Sequence, residues 1–133
     1  MRNVLLAALL LSALPLPALS QHAEADDVPL YQGTWNVRLD GRRSARLVLD
    51  EWEGTWVERG PARTVGAACR GKKIPVTVQH STTEHIEFTA WGSSISSACP
   101  DTSFELRPAG GPDRMEGETD TRAKVQMTRA RRR

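Results

Sequence analysis

From Leu30 to the end of the chain, apolar and polar residues alternate with a period of two. This period is typical of β-strands, because successive side chains point to opposite faces. Clusters of glycine, proline and serine separate the alternating segments, and no window shows helical spacing. The segments are residues 31–40, 45–50, 54–58, 74–79, 86–90, 104–106, 114–121 and 124–129. They predict an all-β fold, an eight-stranded antiparallel up-and-down barrel or a sandwich of similar size.

The first twenty residues have the three parts of a secretory signal peptide. Arg2 supplies a positive charge, residues 4–14 are almost entirely apolar, and Ser20 ends a small-residue exit. The apolar run is too short for a bilayer, which needs about 20 apolar residues. We therefore predict a signal peptide at 1–20, a flexible N-terminal arm at 21–29 and a barrel domain at 30–130. The mature protein is expected in the periplasm or outside the cell, with no membrane span.

The chain has two cysteines, Cys69 and Cys99. In an oxidising compartment two cysteines most simply form one disulfide. A disulfide that closes this loop is expected to stabilise the fold by about 3–4 kcal/mol. The thirty-residue separation lacks the Cys-x-x-Cys spacing of redox-active pairs, so the predicted role is structural.

The formal net charge of +2 conceals an uneven distribution. Residues 122–133 contain six arginine and lysine residues and no acidic one, whereas residues 21–121 are acidic on balance. Such a basic end suits contact with an anionic surface, and it equally suits a last strand followed by a solvated tail. We favour the solvated tail and predict no nucleic-acid partner.

Short motifs along the strands are similar to those of the avidin family. Gly33-Thr34-Trp35 resembles the Gly-Thr-Trp of the first avidin strand, and Gly54-Thr55-Trp56 stands where that family often has Gly-x-Tyr. The spacing of Cys69, Trp91 and Cys99 is similar to that of the disulfide-bearing dimeric bacterial avidins. Gly-x-Trp also begins the first strand of lipocalins and of barrel-shaped protease inhibitors. The resemblance implies an avidin-like or lipocalin-like barrel with a ligand at its open end, and it allows a homodimer.

The residues expected to contact biotin in that family are mostly absent. Asn36 follows Trp35 directly, so its side chain points to the opposite face of the strand from Trp35. Trp56 stands where the family has the tyrosine that contacts the ureido oxygen of biotin, and tryptophan has no hydroxyl group. Ser103 is the candidate for the serine or threonine of that family whose hydroxyl group contacts the ligand. We therefore predict ligand-binding roles for Trp56, Trp91, Asn36 and Ser103, with a ligand other than biotin.

The fifth strand cannot place all of its large side chains inside a barrel. Ile86, Phe88 and Ala90 share one face, and Trp91 belongs to the opposite face. Without a bulge near Ala90, only one of these sets lines the core. We predict that Trp91 is a rim residue. Trp52 and Trp56, four residues apart, are predicted to pack into the core rather than to form a stacking surface.

Three groups of residues were weighed as chemical sites. His80 and His85 flank a turn near Glu84 and Glu87, a mixture that binds metals weakly. The serines at 93, 94, 96 and 97 lack the Gly-x-Ser-x-Gly frame of a nucleophile. Glu51, Glu53 and Glu58 lie near two tryptophans, but acidic residues on strand faces are ordinary. We predict no catalytic residue, no metal site and no cofactor.

Taken together, these features predict an exported, non-enzymatic β-barrel that captures a small or extended ligand at its open end. The alternative is a secreted or periplasmic protein inhibitor of a hydrolase, such as a protease or a lysozyme. The expected partner is accordingly an unknown small ligand or a secreted protein. A hollow barrel interior favours the first function, and a filled one favours the second.

Overall fold

The computed structural model describes residues 27–59 and 68–131. The predicted signal peptide and most of the predicted arm lie outside these ranges, as does most of the connection between the third and fourth strands. The strands are β1 (Gly33–Leu39), β2 (Arg43–Asp50), β3 (Glu53–Arg59), β4 (Ile74–Ser81), β5 (Ile86–Ala90), β6 (Thr102–Pro108), β7 (Arg114–Thr119) and β8 (Lys124–Arg129). One short 3₁₀ helix, Gly92–Ser94, lies between β5 and β6.

The eight strands form a closed antiparallel barrel in which each strand pairs with its neighbours in sequence. The barrel closes where β1 pairs with β8, with Val37 opposite Met127. Closure leaves no unpaired strand edge for another chain to extend. The predicted fold class, an eight-stranded up-and-down barrel with one disulfide, is therefore confirmed.

The barrel interior is filled by side chains. Along the strands every second residue points inward, as the alternation predicts, except where β4 is irregular after Val78. The largest buried side chains are Trp35, Trp56, Phe88, Leu47, Ile86, Leu106, Met115 and Met127. Phe88 and Phe104 stack with their ring centroids 4.6 Å apart, and Phe104 also contacts Trp56 at 4.8 Å. This aromatic cluster occupies the volume that a hollow barrel would offer to a ligand.

The strapped end is the barrel end at which β1 begins and β8 ends, and residues 27–32 cross it. The Val28 amide donates to the Ser81 carbonyl at 2.9 Å, and Tyr31 Oη donates to the Thr82 carbonyl. Trp35 Nε1 donates to the Tyr31 carbonyl at 3.0 Å. Burial raises the pKa of the Tyr31 hydroxyl above its usual range. The segment thus runs from the end of β4 to the start of β1 and covers the core.

Arg129 completes this closure from β8. Its guanidinium carbon lies 4.3 Å from the centre of the Trp35 ring, and its Nη1 donates to the Gln32 carbonyl at 2.6 Å. Gly33 is required here, because its φ is +115° and a Cβ would approach Arg129 Nη1 to 3.0 Å. The Gly-Thr-Trp motif therefore serves the packing of this end.

The opposite end, the disulfide end, contains the connections β1–β2, β3–β4, β5–β6 and β7–β8. Cys69 and Cys99 form the predicted disulfide between two of these connections, with their Cα atoms 5.3 Å apart. Gly92 lies against it, and a Cβ there would come within 2.7 Å of Cys99 Sγ. The cross-link therefore holds the β3–β4 and β5–β6 connections together over the barrel mouth.

The registers of β4 and β5 explain where the aromatic residues point. Ile86, Phe88 and Ala90 face the core, and Trp91 lies outside it at the rim, as predicted. The irregularity falls in β4 instead, between Val78 and His80, and not near Ala90.

The two neighbouring tryptophans of β2–β3 also pack against the core, in different ways. Trp56 is buried in β3, as predicted. Trp52 precedes β3 in the turn and packs on the core while partly exposed.

Candidate functional site

A cavity of about 260 Å³ lies at the disulfide end, between the aromatic core and the loops that the disulfide joins. Trp56 and Phe104 form its floor, and the cystine forms part of its wall. Hydroxyl groups of Thr102, Thr119 and Thr121 add polar positions around the mouth. An aromatic floor with a few polar groups is the usual composition of a small-molecule site.

An ion pair with a buried carboxylate lies in this cavity. Arg43 Nη2 donates to Glu58 Oε1 at 2.5 Å, from the start of β2 to the inner face of β3. The Glu58 side chain is only 10% exposed, while that of Arg43 is 40% exposed. A carboxylate taken out of water needs such a partner, because an unpaired buried charge is strongly unfavourable. The pair places both a positive and a negative group beside the Trp56 ring.

Part of this pair has no hydrogen-bond partner. Among the described residues, Arg43 Nε and Glu58 Oε2 are buried and bond to nothing. One atom is a donor and the other is an acceptor, and both belong to charged groups. A small closing movement of the two side chains would pair them with each other in a bidentate arrangement. A bound ligand with an adjacent donor and acceptor would satisfy them as well.

Glu58 differs from its sequence interpretation. We grouped it with Glu51 and Glu53 as an ordinary exposed acid, yet it faces the barrel interior, so that part of the interpretation is wrong. The signal was present in the period of two: Trp56 is an inward residue, and Glu58 follows it by two positions. Its partner, Arg43, could not be found this way, since the pairing depends on the β2–β3 register.

The four predicted ligand-binding residues do not come together. Trp56 alone lies in the cavity. Asn36 and Ser103 are exposed on the outer faces of β1 and β6, and Ser103 Oγ lies 3.1 Å from Thr89 Oγ1. Trp91 is 39% exposed, and its Nε1 donates to Thr77 Oγ1 on the outside of β4 at 3.1 Å.

His80 and His85 lie at the strapped end. His80 and His85 lie 3.9 and 3.8 Å from the Glu87 carboxylate, and His80 Nδ1 lies 3.3 Å from Asp27. The Ser81 amide, and then His80, lower the pKa of the Asp27 carboxyl below its usual value. Within residues 27–59 and 68–131, no three histidine, cysteine or acidic residues are arranged to hold a metal ion. The cluster therefore serves to fix the strap to β4.

A membrane-crossing helix was also sought. None of the helical structure in the described part of the chain is long and apolar enough to span a bilayer.

Comparisons with known proteins add little beyond the architecture. No family model matches the chain, and no curated protein matches it. Among solved structures, a redesigned β-barrel is similar, with 17% sequence identity and a TM-score of 0.45 over 77% of this chain and 93% of that one. The strand pairing by itself makes this protein a small closed eight-stranded β-barrel. Nothing specific to the avidin family accompanies that architecture.

Proposed function

We propose that this protein is an exported, non-enzymatic binding protein that captures a small polar ligand at the disulfide end. One observation carries the proposal. A cavity with an aromatic floor contains an arginine–glutamate pair whose carboxylate is buried, and one buried donor and one buried acceptor of that pair lack partners. Polar groups of this kind fix the orientation of a ligand once water is displaced.

The geometry limits the size and the chemistry of the ligand. A volume of about 260 Å³ is slightly below the ~300–1,000 Å³ of typical ligand pockets. Since the aromatic core fills the barrel, the ligand would lie at the mouth above Trp56. A group with an adjacent donor and acceptor, such as an amide, a ureido group or an amino acid zwitterion, complements Arg43 and Glu58.

Export is supported by two features. The first twenty residues have the pattern of a signal peptide. The Cys69–Cys99 disulfide is of a kind that persists in oxidising compartments. We therefore keep the periplasm or the extracellular space as the proposed location.

Tryptophan fluorescence provides the test. A Trp91→Phe variant removes the most exposed indole and leaves Trp35, Trp52 and Trp56, of which only Trp56 lines the cavity. We expect saturable quenching or a spectral shift with at least one member of a panel of amides, ureido compounds, amino acids, small sugars and biotin. The matched Trp56→Phe variant, which keeps Trp91, should lose that signal. Saturable binding that Glu58→Gln leaves unchanged, or no response across the panel, would contradict the proposal.

A second candidate function rests on a different observation. The filled interior favours the inhibitor hypothesis, and the loop after β5 exposes two large apolar side chains, Trp91 and Ile95. Tryptophan is prominent among residues that dominate the energetics of protein interfaces. Inhibition assays against purified secreted proteases and lysozymes test this function. Inhibition that is lost in Trp91→Ala with Ile95→Ser, yet kept in Glu58→Gln, would favour the inhibitor over ligand capture.

A further inference from the structure

The outer faces of β1, β2 and β3 carry three arginines around one serine. Ser44 on β2 lies opposite Arg38 on β1 and opposite Arg59 on β3. Arg46 follows Ser44 by two residues and therefore points to the same outer face. All four residues are exposed. Three guanidinium groups thus share a small area of the barrel surface, hereafter the arginine face.

Some arginines of the described residues pair with a carboxylate, and those of the arginine face do not. Arg43, Arg107, Arg114 and Arg129 each pair with a carboxylate. Among the described residues, no salt bridge involves Arg38, Arg46 or Arg59. Like charges on neighbouring positions of a sheet repel one another and destabilise it. The arginine face therefore carries an uncompensated positive charge that an anion would neutralise.

The same residues line a groove of about 450 Å³. Asn36, Gln126 and Thr128 extend it across β1 and β8, so amide and hydroxyl groups adjoin the guanidinium groups. The lining contains no acidic side chain. A concave, donor-rich surface of this composition suits sulfate, phosphate or carboxylate groups.

The opposite side of the barrel has the reverse charge. Glu87 on β5, Glu105 on β6 and Glu118 on β7 lie directly opposite one another in a single row. This row would repel an anionic molecule from the β5–β7 side of the barrel. The chain is close to neutral overall, with a formal charge of +2. Attraction of an anion therefore depends on the separation of the positive arginine face from the negative glutamate row.

We propose that the arginine face binds a linear acidic polysaccharide. The backbones of Arg38 and Arg59 lie two strand spacings apart, about 10 Å, and Arg46 lies on the strand between them, so the three charges extend over three strands. A polymer with repeated anionic groups spans that distance. The groove is concave, whereas a lipid surface is planar, and its lining has no aromatic side chain on which a nucleic-acid base could stack. This site is separate from the disulfide-end cavity.

The test is a binding titration with a fluorescently labelled heparin oligosaccharide as the probe, monitored by anisotropy with the full chain. We expect saturable binding that weakens as sodium chloride rises. The triple variant Arg38→Gln, Arg46→Gln and Arg59→Gln should bind at least about 100-fold more weakly, since each charge-assisted contact contributes about tenfold. For the triple variant, the slope of log K against the logarithm of the salt concentration should also be smaller in magnitude by about two to three.

A matched control removes the same charge elsewhere. Lys72→Gln, Lys73→Gln and Arg122→Gln change three exposed cations outside the groove. We expect this variant to keep binding within about threefold of the parent, and circular dichroism should show both variants folded. Equal weakening in the two variants, or no binding at low salt, would overturn the proposal. Tighter binding of duplex DNA or of anionic lipid vesicles through the same arginines would also overturn it.

Discussion

The two ends of this barrel are closed in different ways. At the strapped end, backbone hydrogen bonds, the buried Tyr31 and the stacking of Arg129 on Trp35 cover the core. At the disulfide end, a covalent cross-link joins two loops, and a cavity with a charged pair remains beneath them. The strapped end has the features of structural closure, and the disulfide end has those of a binding site.

This difference shows where a small filled barrel has room for function. A core with Trp35 and Trp56 fully buried leaves no central chamber. Inside the barrel, only an end that is not closed by packing can accept a ligand, and a disulfide supports such an end because its stabilisation does not require a filled interior. The following predictions test whether the two ends differ in this way.

The largest effect is expected from Trp35→Ala at the strapped end. Loss of this side chain should lower the free energy of unfolding by about 3–5 kcal/mol, because a dry cavity forms and the contact with Arg129 is lost. The loss in free energy of unfolding for Trp56→Ala should lie at the lower limit of that range, because its site adjoins an existing cavity that water can enter. Urea unfolding followed by circular dichroism measures both. A larger loss for Trp56→Ala would contradict the contrast between the ends.

Removal of the disulfide should have the next largest effect. Cys69→Ser with Cys99→Ser is expected to lower the free energy of unfolding by about 3–4 kcal/mol on the chain-entropy model. Hydrogen exchange should show lost protection in β3, β4 and the loop after β5, while the Val28 amide remains protected. Equal loss of protection at both ends would show that the disulfide stabilises the whole barrel and not one end.

The ion pair should contribute less. Glu58→Leu alone is expected to destabilise the protein by about 1–3 kcal/mol, because Arg43 Nη2 then loses its acceptor and the guanidinium loses its counter-charge. Adding Arg43→Met should recover most of this loss, since a buried pair and an apolar pair of similar volume are often equally stable. Both variants should lose ligand binding in the fluorescence titration. A double variant that is more destabilised than Glu58→Leu would show that the pair serves stability.

Much of the fold was predictable from local patterns. The alternation of Trp35, Val37 and Leu39, and of Ile86, Phe88 and Ala90, correctly places their side chains inside. The same period identified Trp91 as a rim residue. These predictions succeed because a strand has one geometric period and a buried face needs a continuous apolar stripe.

The candidate site was predicted only in part. Trp56 lies in the cavity, but Asn36, Ser103 and Trp91 are on the outer surface, and Arg43 was not identified as a site residue. Family resemblance supplied those positions, whereas the pairing of Arg43 with Glu58 arises from contact between β2 and β3. The bulge in β4 likewise has no local signal, and it decides that Ser81 rather than His80 faces inward.

The smallest expected effect concerns the strap. Asp27 accepts hydrogen bonds from the Ser81 amide and His80, and these contacts lower its folded pKa below the ordinary aspartate value of 3.8. Its ionised form therefore stabilises the strap above pH 3.8, and that stabilisation is lost as the pH falls through the folded pKa. Asp27→Asn should reduce the protection factor of the Val28 amide at pH 6, and the difference from the parent should shrink as the pH falls through the folded pKa of Asp27. Asp50→Asn, at an exposed β2 position, is the matched control and should match the parent throughout the pH series. A difference between parent and Asp27→Asn that stays constant over the whole acid series would mean that the Asp27 charge does not hold the strap, and that end would then depend on Tyr31 and Arg129 alone.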